Sequence, residues 1–187
     1  MSTIKPIETV YNGYRFRSRL EARWAVFFDT LGVKYEYEKE GFSLTLPSCG
    51  EVFWYLPDFW LPNLETWIEI KGQTPTMDEV KKCHLLARTV CKPCFLINGS
   101  PWLTDYNLWV IDPDREDIDF RKRGADMWPE NLFVICLSCQ GLGTLGGGCE
   151  FHPPRRCRND NVFSATDHPR LIAAYTAARQ ARFERGG

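Results

Sequence analysis

Apolar residues first recur at helical spacing between Leu20 and Leu31, where Leu20, Trp24, Phe27, Phe28 and Leu31 fall on one face. Ser18 followed three residues later by Glu21 reads as a capping box that opens this helix, and Gly32 is placed to close it. Ahead of the helix, Asn12-Gly13 between Tyr11 and Tyr14 predicts a tight hairpin turn. Beyond it the period changes from helical to two. Residues 33–38 alternate as a strand, and 42–46, 52–56 and 66–71 follow as further short strands, with Pro47, Gly50 and Asn63 in the breaks. A second helix is predicted over 77–90 with Thr76 as its cap, then buried strands at 94–97 and 108–111. Helix, several strands, helix and two strands predict an α/β core with a mixed sheet. Residues 136–161 show neither period, and with their glycines a core there needs a staple. From Pro169 to about residue 184 helical spacing returns, with Asp167 as the expected cap and Pro169 in the first turn.

Length and charge constrain this picture. A chain of 187 residues has room for one sizeable core and a small appendage, expected as 1–125 and 126–187. With 23 basic and 24 acidic residues the net charge is −1, so a basic surface for a polyanion has to be local. No apolar run is long enough to span a bilayer, and residues 1–13 lack the apolar core of a signal peptide. A cytoplasmic protein with no membrane partner is therefore expected. Its eight cysteines then belong to a reducing compartment, where clusters indicate metal rather than disulfides.

Candidate chemistry concentrates in residues 56–72, LPDFWLPNLETWIEIKG. On a strand Glu69 and Lys71 share one face, yet Trp67, Ile68 and Ile70 around them argue for burial. Charges there are costly unless they pair or serve a purpose. Asp58 and Glu69 have the donors to hold Mg²⁺ or Mn²⁺, with the backbone carbonyl of Ile70 as a further ligand. Lys71 would orient an attacking water or offset developing charge, and Glu21 would reach the metal or a water bound to it. Blander readings stand beside these. Glu21 also fits as the third residue of a capping box, Asp58 as a turn residue after Pro57, and Glu69 with Lys71 as an ion pair on an exposed strand. Arg15, Arg17 and Arg19 either meet phosphates or form a solvated face, and Gln73 either touches substrate or ends its strand.

Pro57-Asp58 and Glu69-Ile70-Lys71, preceded by the Glu21-bearing helix RFRSRLEARWAVFFDTLG, resemble the PD-(D/E)XK nuclease superfamily. Within it the helix is similar to that of the branch with phage exonucleases, RecB-like nucleases and archaeal Holliday-junction resolvases. The resemblance covers about residues 10 to 112 and includes the order of elements. It implies a restriction-endonuclease-like core, a central mixed β-sheet flanked by helices, and Mg²⁺-dependent hydrolysis of phosphodiester bonds in DNA. Bacterial host or phage-infected cells are the implied setting. A junction resolvase would be a homodimer, whereas exonuclease and restriction-type activities remain alternatives within the class. The rival from another class is a non-catalytic DNA-binding or interaction protein on a nuclease fold, acting through a zinc module in the cysteine-bearing segment.

Cys136 and Cys139 form a CxxC, followed by Cys149 and His152 at zinc-knuckle spacing, with Cys157 as the alternative fourth ligand. Structural Zn²⁺ is the expectation, giving the nuclease-like core a small zinc-binding appendage followed by the C-terminal helix. Cys91 and Cys94, the other CxxC, read as buried thiols, and Cys49 and Cys83 as loop or core thiols. On the last helix Leu171, Ile172, Tyr175, Ala178 and Phe183 are expected to pack. Arg170, Arg179, Arg182 and Arg185 face outward, either along a DNA path or into solvent.

Overall fold

The computed structural model describes residues 6–47, 49–102, 105–113, 132–137, 140–146, 149–151 and 164–183. Strands β1 (Thr9–Tyr11) and β2 (Tyr14–Phe16) form the expected hairpin, with Tyr11 opposite Tyr14. Asn12 at φ 47° and Gly13 at φ 81° provide the two positive-φ positions that match the twist of the strands. Helix α1 (Arg19–Leu31) starts at Ser18, whose hydroxyl accepts the Glu21 N–H at 3.2 Å, and ends at Gly32 in the left-handed region. Its apolar face carries Trp24, Phe27 and Phe28 into full burial, about 2–3 kcal/mol for each side chain.

Next come β3 (Glu36–Tyr37), β4 (Phe42–Thr45), β5 (Val52–Tyr55), β6 (Phe59–Leu61), β7 (Thr66–Lys71), α2 (Met77–Val90), β8 (Cys94–Gly99) and β9 (Tyr106–Ile111). The central sheet has the order β3-β6-β7-β8-β9. Only β7 and β8 are parallel, and α2 makes the crossover between them, so the sheet is mixed as expected. Three details differ from the sequence pattern. The strand expected at 33–38 is limited to two residues. β4 and β5 pair with each other in a separate sheet. β6 was not foreseen, because Pro57 and Pro62 bracket it and three residues are too few to show alternation.

β7 lies inside the sheet, and its apolar residues point both ways. Ile68 and Ile70 join the core of α1, whereas Trp67 joins Val80, Cys83 and Leu86 of α2 on the opposite face. At the far end of β8, Gly99 has φ 104°, and a Cβ there would collide with the Asp105 carbonyl oxygen. Its own carbonyl accepts Trp24 Nε1–H at 3.0 Å, tying α1 to the sheet.

A second, four-stranded sheet holds β10 (Leu132–Cys136), β11 (Leu142–Gly146), β12 (Cys149–Phe151) and β13 (Ser164–Ala165) in the order β12-β11-β10-β13. Strands thus occupy part of the segment expected to be aperiodic. Gly143 and Gly146 on β11 bring no side chain to an apolar count, which hides the alternation. Phe133 and Ile135 of β10 enter the core of α1. Helix α3 (Pro169–Gln180) packs there through Leu171, Ala174, Tyr175 and Ala178. Its cap is His168 rather than Asp167, with Nδ1 accepting the Arg170 N–H at 3.2 Å. The Tyr106 and Tyr175 hydroxyls lie 2.6 Å apart, and the Phe133 N–H donates to Tyr106 at 3.0 Å. The expected division at 125 falls outside the described residues, and described segments on either side of it share this core. Among the described residues no helix is long and apolar enough to cross a membrane.

Candidate functional site

The site forms where β6 stops pairing with β7. Their ladder ends at Phe59 opposite Ile68, so the next N–H on that edge, from Ile70, needs another acceptor. Asp58, just ahead of β6, supplies it: Oδ2 accepts the Ile70 N–H at 2.7 Å. Oδ1 lies 2.7 Å from Nη2 of Arg17, whose Nε is 2.6 Å from Glu38 Oε1. The Asp58 side chain is buried, which makes its charge expensive.

Glu69 and Lys71 project together from β7. Lys71 Nζ lies 2.8 Å from Glu69 Oε1 and 3.2 Å from Glu79 Oε1. Glu79 belongs to the capping box of α2, its Oε2 accepting the Thr76 N–H at 2.7 Å and the Thr76 hydroxyl at 2.9 Å. Burial disfavours the ammonium, but the Glu69 and Glu79 carboxylates outweigh it and hold the Lys71 pKa above its usual range. Burial pushes the Glu79 carboxyl up, but the Thr76 N–H and hydroxyl and the Lys71 ammonium together outweigh it and hold the carboxyl below its usual range. Glu69 is also buried, and its Oε2 has no hydrogen-bond partner. An orphaned carboxylate oxygen beside a second buried acid is an unusual state for a folded protein.

Glu21 faces this centre from α1. It does more than cap a helix: Oε1 accepts the Ser18 hydroxyl at 2.7 Å, and Oε2 accepts the Tyr37 hydroxyl at 2.6 Å and the Arg17 N–H at 3.1 Å. Electrostatics link the three acids. Burial pushes the Asp58 carboxyl well above the usual range, and repulsion from Glu69 and then Glu21 pushes the same way, against the Ile70 N–H and Arg17. Among the described residues no three acids, cysteines or histidines come close enough together to hold one ion.

Of the other expected residues, Arg17 stands in the centre. Arg15 is on the exposed face of the hairpin, 3.4 Å from Glu8. Arg19 and Gln73 line a cavity of about 630 Å³ together with Ser18, Glu21 and Ile70. Glu38, Tyr37 and Glu79 were not singled out from sequence. Only Glu79 carried a local signal, the Thr76-x-x-Glu79 cap signature. Cys136 is buried on β10 and Cys149 lies on β12; Cys139, His152 and Cys157 lie outside the described residues, as does Arg185. Cys94 and Cys83 are buried thiols beside Tyr55, whose hydroxyl is 3.2 Å from Cys83 Sγ, whereas Cys91 is exposed at the end of α2. The two cysteines of that CxxC therefore face different environments. Arg170 is exposed, as expected, but its guanidinium is engaged: it donates to the Leu31 carbonyl at 3.0 Å and the Gln140 carbonyl at 2.9 Å.

The architecture is a mixed α/β fold with three helices among the described residues, bringing three buried acids from α1, the residue before β6, and β7 together with the lysine of β7. No family model matches the chain, and no solved structure matches it. Over 73 residues the chain is 37% identical to Endonuclease I of Escherichia phage T7, a stretch of 39% of this chain and 46% of that protein. The chain thus spans under half the length of that relative, and the similarity is a distant one to a phage nuclease.

Proposed function

We propose that this protein is a metal-dependent deoxyribonuclease of the PD-(D/E)XK type, hydrolysing phosphodiester bonds at the Asp58–Glu69–Lys71 centre. The observation that carries the reading is the buried Glu69 Oε2 without a partner, beside an Asp58 whose ionised form is disfavoured. Hard oxygen donors of this kind suit Mg²⁺ or Mn²⁺, which need only one or two protein carboxylates alongside water and substrate oxygens. Asp58 and Glu69 would hold the ion, with the Ile70 carbonyl as a third donor and Glu21 acting on a water beyond them. When bound, the ion supplies a Lewis acid for the phosphoryl oxygen and lowers the pKa of a coordinated water.

The protein's own residues have distinct tasks in this proposal. Lys71 is held as an ammonium by two carboxylates, so it offsets charge developing on the phosphate rather than acting as a base. Tyr37 and Ser18 fix both oxygens of Glu21. Arg17 balances Asp58 and, with Arg15, Arg19 and Gln73, is available to phosphates. A structural Zn²⁺ on Cys136, Cys139, Cys149 and either His152 or Cys157 completes the proposal, the strands β10 to β12 carrying two of these thiols.

Purified protein with Mg²⁺ or Mn²⁺ should cut at least one of single-stranded, duplex, flap and four-way-junction DNA. Lys71→Ala and Asp58→Ala should each abolish cutting with unchanged circular dichroism. Binding without cutting on every substrate would sink the proposal in favour of a DNA-binding protein on a nuclease fold. Sedimentation of the active form would test the homodimer expected of a junction resolvase.

A further inference from the structure

Three concavities adjoin along the edge of α1. The first, of about 630 Å³, holds Glu21 and Ile70 of the acidic centre and is walled by Arg19, Arg23 and Ser100. A second, of about 310 Å³, shares Arg23 and Ser100 with it and adds Trp102 and Arg179. The third, of about 500 Å³, shares Trp102 and Arg179 and continues to Arg182. Because each shares walls with the next, they form one groove from the acidic centre, past the turn after β8, to the end of α3.

The groove is basic in a chain whose net charge is −1. Among the described residues none of Arg19, Arg23, Arg179 and Arg182 forms an ion pair. Among the described residues Asp105 is the one acid lining the middle section. Nε of Arg23 is buried without a hydrogen-bond partner, an arrangement that is costly unless a ligand completes it. The Arg179 guanidinium stacks 4.6 Å from the centre of the Trp102 ring. Stacking fixes the plane of the fork and leaves its edge donors for a bidentate acceptor.

We infer that this groove is the path of a DNA strand leaving the acidic centre, with Arg19, Arg23, Arg179 and Arg182 on its phosphates and Trp102 beside a base. Guanidinium groups spaced along an open channel, with an aromatic ring among them, match a strand bound through backbone and stacking without sequence readout. The inference rests on the nuclease reading for what occupies the groove.

Binding of a fluorescein-labelled single-stranded oligonucleotide, followed by anisotropy in EDTA, tests it without cutting. Arg179→Ala combined with Arg182→Ala should weaken binding about tenfold and flatten the slope of log affinity against log salt by about 1.4, two phosphate contacts at ~0.7 each. Arg182→Glu alone leaves the Trp102–Arg179 stack in place and should weaken binding in the same direction, whereas Lys34→Ala, exposed away from the groove, should not. Wild-type affinity and slope in both arginine variants would overturn the groove. The two readings fail separately. Protein that cuts DNA but binds it indifferently to these arginines refutes the groove alone. Protein that binds through them but never cuts with Mg²⁺ or Mn²⁺ refutes the nuclease alone.

Discussion

Arg17→Ala tests the balance of charge at the centre, removing the pair with buried Asp58 and the more exposed one with Glu38. Asp58 has 4% of its side chain exposed and Arg17 54%, and Nη2 and Oδ1 are 2.7 Å apart. A fully buried pair broken on one side costs about 3–5 kcal/mol, and an exposed one about 0–1 kcal/mol. This pair is buried at the acid and wet at the base, which places the loss at about 2 kcal/mol. In a chain of this size that lowers the unfolding midpoint by about 4–8 °C. Without Arg17 the Asp58 carboxyl rises further above the unfolded value, so the folded state keeps its proton to higher pH. The deficit is therefore fullest at alkaline pH and shrinks as pH falls toward the ordinary carboxylate range. Thermal unfolding in EDTA, followed by circular dichroism, measures it. If Asp58 and Glu69 hold a divalent ion as proposed, adding Mg²⁺ or Mn²⁺ should then raise the midpoint of the variant more than that of wild type, because the ion would replace the missing positive charge without competing with a guanidinium. Equal stabilities in EDTA, or a gap that divalent ions leave unchanged, would refute the reasoning.

Asp58→Asn should be more stable than wild type at neutral pH in EDTA, by about 1 kcal/mol, since it removes a charge that burial, Glu69 and Glu21 all disfavour. Its advantage should vanish on acidification, where wild-type Asp58 is protonated in both states; urea titrations across pH measure this. Tyr37→Phe should cost about 1.5–3 kcal/mol by deleting the 2.6 Å hydrogen bond to the buried Glu21 carboxylate. If Glu21 acts in cutting, single-turnover rates should fall as well, and a variant with a normal rate would reduce Tyr37 to a structural role. Elemental analysis of gently purified protein should find zinc, and its removal by a chelator should lower the unfolding midpoint; zinc-free protein of full stability would remove the knuckle.

The elements legible in sequence are those set by near neighbours. Ser18, the apolar spacing of α1 and Gly32 act within one helix, and Asn12-Gly13 within one turn. Glu69 and Lys71 were legible as a pair because strand alternation alone puts them on one face. The partner of Asp58 on the loop before α1 was not, since 41 residues separate Arg17 from Asp58, and the partner of Lys71 was not, since the turn from β7 into α2 decides whether Glu79 comes back to it. Pairing likewise escapes local patterns: β4 and β5 look like members of the central sheet until their register is seen. Helix α3 starts at Pro169 as expected, but its cap lies one residue later than Asp167, although the information was present. Pro169 belongs at the first helical position, which makes His168 the cap, and Nδ1 accepts as a carboxylate would.

Glu79 spends one oxygen on starting a helix and the other on holding a lysine. The first turn of α2 is pinned by the Glu79 N–H to the Thr76 hydroxyl at 3.3 Å and the Val80 N–H to the Thr76 carbonyl at 3.1 Å. Fraying of that turn consequently takes one of its two carboxylates from the Lys71 ammonium and leaves it on Glu69 alone. Exchange of the Glu79 and Val80 amide protons with deuterium thus counts how often the lysine loses its second carboxylate, a clock for the charge balance of the centre that needs no substrate.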